Sequence, residues 1–153
     1  AVLLAREGQE RTVPTAMISG GFDPLTTGHL DLIDEAANYG RVIIALNSDA
    51  WLIRKKGYAV MPFDDRRRIL LALRNVDSVT PVDDSDGTVC EALRRIVPFW
   101  FCNGGDRTEP NEAEDAICRE LDIHQLFNVG GGKTRSSSDL VRAARSFETR
   151  RVL

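Results

Sequence analysis

"VPTAMISGGFDPLTTGHLDLIDEAANYGRVIIALNS", residues 13–48, reads as strand, helix and strand in succession. "VPTAMIS" is a short apolar run. The stretch from Gly28 repeats Leu30, Ile33 and Ala37 on one helical face, with Gly40 as its stop. "RVIIALNS" is the continuous Val/Ile/Leu run of a parallel strand covered on both faces. Together they make one βαβ unit, and its first junction carries glycines, a proline, two threonines and one of the chain's two histidines.

The alternation continues outward from this unit. Periodicity and turn residues predict a helix over 64–73, a strand at "VDSVTPV", and a helix over 88–96 behind the turn "DDSDG". They then predict a strand at "PFWFCN", a helix over 110–121 with proline at its start, a strand at "HQLFNV", and a closing helix from Ser137. Five strands alternating with helices imply an α/β fold, a Rossmann-like doubly wound parallel sheet. Its ligands are expected beyond the carboxyl ends of the strands, where strand order reverses. The polar clusters at 20–29, 47–57, 103–107 and 130–138 all follow predicted strands and so converge on one end of the sheet.

The length of 153 residues suits one domain. The expected division is an N-terminal arm over 1–12, the domain over 13–146 and a C-terminal tail over 147–153. Hydrophobic residues at 42% and charged residues at 28% are ordinary for a globular chain. A net charge of −3 gives no global attraction to nucleic acid or to a membrane surface. No apolar run approaches the roughly 20 residues of a membrane span, and "AVLLAREGQERTVPT" holds no signal-type apolar core, so a cytoplasmic location is expected. Cys90, Cys102 and Cys118 lack the close spacing of zinc or redox motifs and are expected as free buried thiols.

The crowded junction outlines an anion site. Gly20 and Gly21 let the chain turn after the strand, and the following helix turns its unpaired N–H groups and positive dipole end to the same space. His29 in the first helical turn and Thr26 before it supply donors suited to a phosphate. The plain alternative is a tight connection with His29 as a cap residue. At the other end of the chain, Ser136, Ser137 and Ser138 place hydroxyls at a helix N-terminus, with Lys133 and Arg135 beside them. Simple N-capping accounts for one serine. Two tempting motifs fail: "GGGKT" would need its first P-loop glycine at Phe127, and "DDSDG" lacks the first and last ligands of a calcium loop.

These residues resemble a known family. "GGFDPLTTGHLDLI" is similar to the nucleotide-binding signature of the cytidylyltransferase-like nucleotidyltransferase superfamily: Gly, any residue, Phe-Asp, then His/Thr-x-Gly-His. With Thr26 for the first His, that motif is most similar to phosphopantetheine adenylyltransferases. "RVIIALNSDAWLIRKKG", "PFDDRRRILLAL", "NVDSV" and "NGGDR" resemble heptose-phosphate adenylyltransferase domains and, less closely, glycerol-phosphate cytidylyltransferases. "KTRSSSDLV" is similar to the family's second, Ser/Thr-rich signature. The resemblance runs over residues 14–144.

It implies transfer of an NMP unit from ATP or CTP to a phosphorylated sugar or polyol, with release of pyrophosphate. His29, Thr26 and Lys56 are the implied catalytic residues, with His29 on the α-phosphoryl oxygens. Gly20, Gly21, Phe22, Asp23, Gly28, Gly104, Asp106 and the three serines are implied at the nucleotide. Asn47, Asp49, Lys55, Arg66, Lys133 and Arg135 are implied at acceptor or other phosphates. Lys56 best matches the family lysine, although a solvated basic segment is the usual fate of "RKK". Mg²⁺ is implied as cofactor, held mainly by the triphosphate and with no protein metal site. A homo-oligomer is expected, with neither nucleic acid nor membrane as partner. Gly21 departs from close relatives, which often carry Thr or Cys there, and in the phosphopantetheine enzymes a hydroxyl at this place helps hold the acceptor phosphate. Phosphopantetheine adenylyltransferase and a nucleotide-binding regulatory domain without turnover are the alternative readings.

Overall fold

The computed structural model describes residues 13–105, 111–131 and 137–152. The expected N-terminal arm, Asp106, Lys133, Arg135 and Ser136 lie outside the described residues. The elements run β1 (Thr15–Gly20), α1 (Thr27–Ala36), β2 (Arg41–Leu46), α2 (Asp49–Lys56) and α3 (Phe63–Leu71). They continue with β3 (Val76–Pro81), α4 (Cys90–Ile96), β4 (Trp100–Gly104), α5 (Glu112–Glu120), β5 (His124–Val129) and α6 (Ser137–Val152). The five strands form one sheet in the order β3-β2-β1-β4-β5, with every pairing parallel.

The alternation of side chains along each strand divides the core between the two sheet faces. Ala16 and Ile18 of β1 join Val42, Ile44 and Leu46 of β2 beneath Ile33 and Ala36 of α1 and Leu70 of α3. Met17, Ala45 and Phe101 face the other way, against Ala92 and Leu93 of α4 and Ile117 and Cys118 of α5. The chain moves outward from β1 through β2 to β3, then returns to β4 on the other side of β1. The β1–β4 pair is therefore the point where strand order reverses, and a crevice opens outside its carboxyl ends.

The expected architecture is observed, with local differences. α1 ends at Ala36, before Gly40. β2 stops at Leu46 because Ser48 begins a helix that sequence reasoning left as a polar, basic segment. This is α2: the Ser48 hydroxyl accepts from Trp51 N–H, and Gly57 ends the helix in the left-handed region at φ 86°. α5 is capped by Asn111, whose side chain accepts from the N–H groups of Ala113 and Glu114. α6 runs through Val152, into the stretch read as a C-terminal tail. The "DDSDG" turn is built by Asp83 and Asp86, each bonded to the residue two positions on. Among the described residues no helix is long and apolar enough to cross a membrane.

Candidate active site

A cleft of about 700 Å³ lies at that reversal of strand order. It brings together segments far apart in the chain: Gly20, Gly21, Phe22, Asp23, Thr26, Gly28 and His29 after β1; Asn47, Lys55 and Lys56 after β2; Gly104 after β4; and Ser137 and Ser138 of α6. A cleft of this size suits a nucleotide-sized ligand.

The start of α1 is the best-defined part. Thr26 caps the helix, its hydroxyl accepting from His29 N–H at 3.4 Å, while His29 Nδ1 accepts from Thr26 N–H at 3.0 Å. This is a capping box in which histidine takes the place of the usual Glu or Gln. Its chemical consequence is tautomeric: with Nδ1 held as an acceptor, the neutral imidazole carries its proton on Nε2. The ring packs 4.8 Å from that of Phe22 and stands at the positive end of α1. The cap reading of His29 is thus observed, and the residue also lines the cleft.

α6 meets this loop directly. Ser137 donates its hydroxyl to Pro24 O at 2.6 Å, so the helix N-terminus is tied to the β1–α1 connection.

Other expected ligands have structural partners. Asp23 is 2% exposed, and its carboxylate accepts from Val60 N–H at 2.6 Å and from Met61 N–H at 2.7 Å. Lys56 Nζ donates to Asp23 O at 2.6 Å, lies 3.3 Å from its carboxylate and sits 4.9 Å over the Tyr58 ring. Asp23 thereby fastens the α2–α3 loop to the cleft, which it also lines.

Arg66 and Asp49, expected at an acceptor phosphate, do not line the cleft. Arg66 is 1% exposed and donates to the carbonyls of Met61, Gly21 and Asn47 and to the Asp49 carboxylate. It joins the ends of β1 and β2 from beneath, and its donors are used in doing so. Asn47 does line the cleft, with its amide donating to Asp84 at 3.1 Å.

Four residues were not named individually from the sequence, although Trp51 and Asn103 fall within the clusters at 47–57 and 103–107. Asp84, 4% exposed, accepts from Asn47 Nδ2, Ser48 N–H and Ser48 Oγ, anchoring the start of α2. Trp51 forms part of the cleft wall beside Gly21, where an added Cβ would stand 2.5 Å from Leu52 Cδ2 and 3.8 Å from the Trp51 ring. Asn103 and Glu114 close the β4 side, Asn103 donating to Gln125 and Leu126 O, and Glu114 accepting from Val89 N–H. "DDSDG" advertised a turn without telling which aspartate faces inward, and a tryptophan inside a basic segment carries no periodic signal.

Burial raises the pKa of two of the three thiols. Burial, with the Glu35 charge adding to it, pushes the Cys102 thiol up to about 12. Burial followed by the Glu114 and Asp115 charges raises Cys118 to about 11. All three cysteines are free and buried.

The cytidylyltransferase-like family model matches residues 17–141. Proteins named bifunctional protein HldE are similar to this chain. That of Halorhodospira halophila is 38% identical over 150 residues, 95% of this chain and 30% of the relative. That of Edwardsiella ictaluri is 38% identical over 148 residues, 93% of this chain and 30% of the relative. The chain thus spans about 30% of the length of these relatives. Among solved structures, a lipopolysaccharide core biosynthesis protein from Thermoplasma volcanium superposes with a TM-score of 0.66 at 17% identity, over 76% of this chain and 94% of that chain. At that identity the likeness is one of fold.

Proposed function

The chain belongs to the cytidylyltransferase-like family, and from that premise we propose that it is a nucleotidyltransferase moving an NMP unit from ATP or CTP to a phosphorylated sugar or polyol. The observation that carries this reading is the Thr26–His29 capping box, which fixes a neutral imidazole with its Nε2 proton at the N-terminus of α1.

In this reading a phosphate oxygen of the acceptor attacks the α-phosphorus of the nucleoside triphosphate. The new P–O bond forms as the bond to the β-phosphate oxygen breaks, and pyrophosphate leaves with that electron pair. A phosphate monoester has a second pKa of about 6, so near neutral pH the acceptor is largely a dianion and no general base is needed. Catalysis then consists of alignment and of stabilising charge on the α-phosphoryl oxygens. The His29 Nε2–H is the donor to those oxygens, and the α1 N-terminus adds its dipole. Ser137 and Ser138, with Ser136 before them, take the β- and γ-phosphates at the start of α6. The ammonium groups of Lys55 and Lys56 supply the remaining positive charge.

Mg²⁺ fits this arrangement as an ion carried by the nucleotide. The carboxylates lining the cleft among the described residues, Asp23 and Glu114, both accept backbone N–H bonds. Triphosphate oxygens and water are therefore the ligands this reading gives it, and its chemistry is neutralisation of phosphate charge. Phosphopantetheine is the less favoured acceptor, because Gly21 has no hydroxyl and the space beside it is held by Leu52.

Pyrophosphate release measured with ATP and CTP against hexose and heptose phosphates, glycerol 3-phosphate and phosphopantetheine tests the proposal. Release dependent on one sugar or polyol phosphate is expected. Nucleotide binding with no release across the panel would leave a binding domain instead.

A further inference from the structure

α6 brings two serines to the cleft, yet it is joined to the domain differently from the other helices. None of its described side chains belongs to either hydrophobic cluster, and residues 142–146 are exposed. Two discrete contacts connect it to the loops around the cleft. Ser137 donates its hydroxyl to Pro24 O at 2.6 Å, and Arg145 Cζ lies 5.3 Å from the centre of the Tyr58 ring.

Tyr58 stands in the α2–α3 loop, and that loop is anchored on both sides of it. Lys56, whose Nζ lies 4.9 Å over the same ring, donates to Asp23 O and pairs with the Asp23 carboxylate. Beyond Tyr58, the N–H groups of Val60 and Met61 donate to that carboxylate. Both attachments of α6 therefore lead back to one dipeptide of the β1–α1 connection, Asp23–Pro24.

The two contacts are eight residues apart on α6, about 12 Å along its axis. A helix held at one point pivots about it, and a second point at that distance sets its direction. Direction matters here because the free N–H groups and positive end of the dipole lie at Ser137 and Ser138, which line the cleft.

We propose that Tyr58 is a positioning residue whose ring holds Arg145 so that the N-terminus of α6 is aimed at the β- and γ-phosphates of the nucleotide. The inference rests on the nucleotidyltransferase reading and deepens it. Tyr58 does not line the cleft and touches no substrate, so its effect runs through Arg145. A planar, weakly hydrated guanidinium stacks well on an aromatic face, and a ring in an anchored loop gives it a defined seat.

Two measurements on the full chain test this, with thermal unfolding as the check on folding. Hydrogen exchange reads the seat of the helix. Tyr58→Leu should speed exchange of the α6 amides by about twofold to fivefold, the worth of an exposed cation–π contact, and leave α1 unchanged. Steady-state kinetics, with the acceptor found in the panel above, read the consequence. Tyr58→Leu should raise the nucleotide KM by a similar factor and weaken product inhibition by pyrophosphate, with the acceptor KM unchanged. Tyr58→Phe keeps the ring and should match the parent in every readout. In the Arg145→Met background Tyr58→Leu should add nothing. Additive losses there would place the effect on Lys56 and overturn the assignment, as would unchanged α6 exchange or a rise in the acceptor KM alone. A parent chain that releases no pyrophosphate overturns the transferase reading and with it the phosphate role of Tyr58, whereas an α6 exchange response in that same chain still establishes the seat.

Discussion

Arg66 and Asp49 close a 2.6 Å ion pair in which the arginine side chain is wholly buried while the carboxylate partner is 44% exposed. The same guanidinium serves three backbone carbonyls, those of Gly21, Asn47 and Met61. Burying an arginine is tolerable here because its donors are matched with acceptors, and no buried side-chain polar atom among the described residues lacks a partner.

Arg66→Lys separates this staple from the phosphate contact that sequence had implied. A lysine keeps the charge but cannot span three carbonyls and a carboxylate from one planar fork. Two or more buried acceptors lose their bond, so stability should fall by at least about 2 kcal/mol, read from urea unfolding. A phosphate ligand would behave otherwise: Arg66→Lys would fold normally and lose mainly substrate affinity.

The capping box makes Thr26 and His29 a coupled pair. His29→Ala should lower kcat by at least about 100-fold, the cost of removing a transition-state donor, with the chain still folded by circular dichroism. Thr26→Ala removes the cap at about 1 kcal/mol of stability and loosens the imidazole. Its kcat should drop by a smaller factor, and Thr26→Ser should recover both properties. A fully active His29→Ala chain would remove the basis of the proposed mechanism.

The parts of this site that were legible in sequence are those fixed by local rules. The β1–α1–β2 unit follows from two apolar runs and one amphipathic helix, and the cleft follows from where strands end. α2 carries Ser48 and Gly57 as its own start and stop signals, yet its eight residues bury only Leu52, too little periodicity to outweigh three basic residues. Arg66, Asp23 and Asp49 read as ligands because their types suit phosphate chemistry. Apart from Met61, five residues before Arg66, the partners cited here are 17 to 45 residues away in the chain, and no local pattern reports such contacts. Gly21 stood out as a departure, while the cause, Leu52 occupying the space, appears only when β1 and α2 are packed together.

Two neighbouring glycines after β5 should respond differently to the same change. Gly130 has φ +83°, and an added Cβ would stand 2.6 Å from Leu32 N and 2.8 Å from Leu32 Cα, both backbone atoms of α1. Its N–H donates to the Glu35 carboxylate, so the loop cannot move off the helix without losing that bond. Gly131 has φ +79°, with nothing among the described residues within 4 Å of the added atom. Gly131→Ala should cost about 1 kcal/mol for the left-handed backbone alone. Gly130→Ala should cost about 2 kcal/mol more, because backbone must shift. Equal unfolding midpoints for the two variants would contradict the close approach of α1 to this loop.

The raised thiols set a direction for stability at alkaline pH. In the unfolded chain Cys102 and Cys118 ionise near the ordinary value of 9.0, whereas in the fold they hold their protons to about 12 and about 11. Above pH 9 the folded state therefore binds more protons than the unfolded state, and stability falls as pH rises. The contribution is fully present below the unfolded value and is lost progressively up to the folded ones. Urea midpoints across this range should decline more steeply for the parent chain than for the Cys102→Ala, Cys118→Ala double variant, which removes these two titrations but leaves those of lysine and tyrosine. The native thiols should also resist aqueous thiol reagents at pH 8 and react fully once unfolded, since the thiolate is the reactive form. Rapid labelling of Cys102 or Cys118 in the folded chain, or identical alkaline slopes in parent and variant, would mean that these thiols are not held neutral by burial.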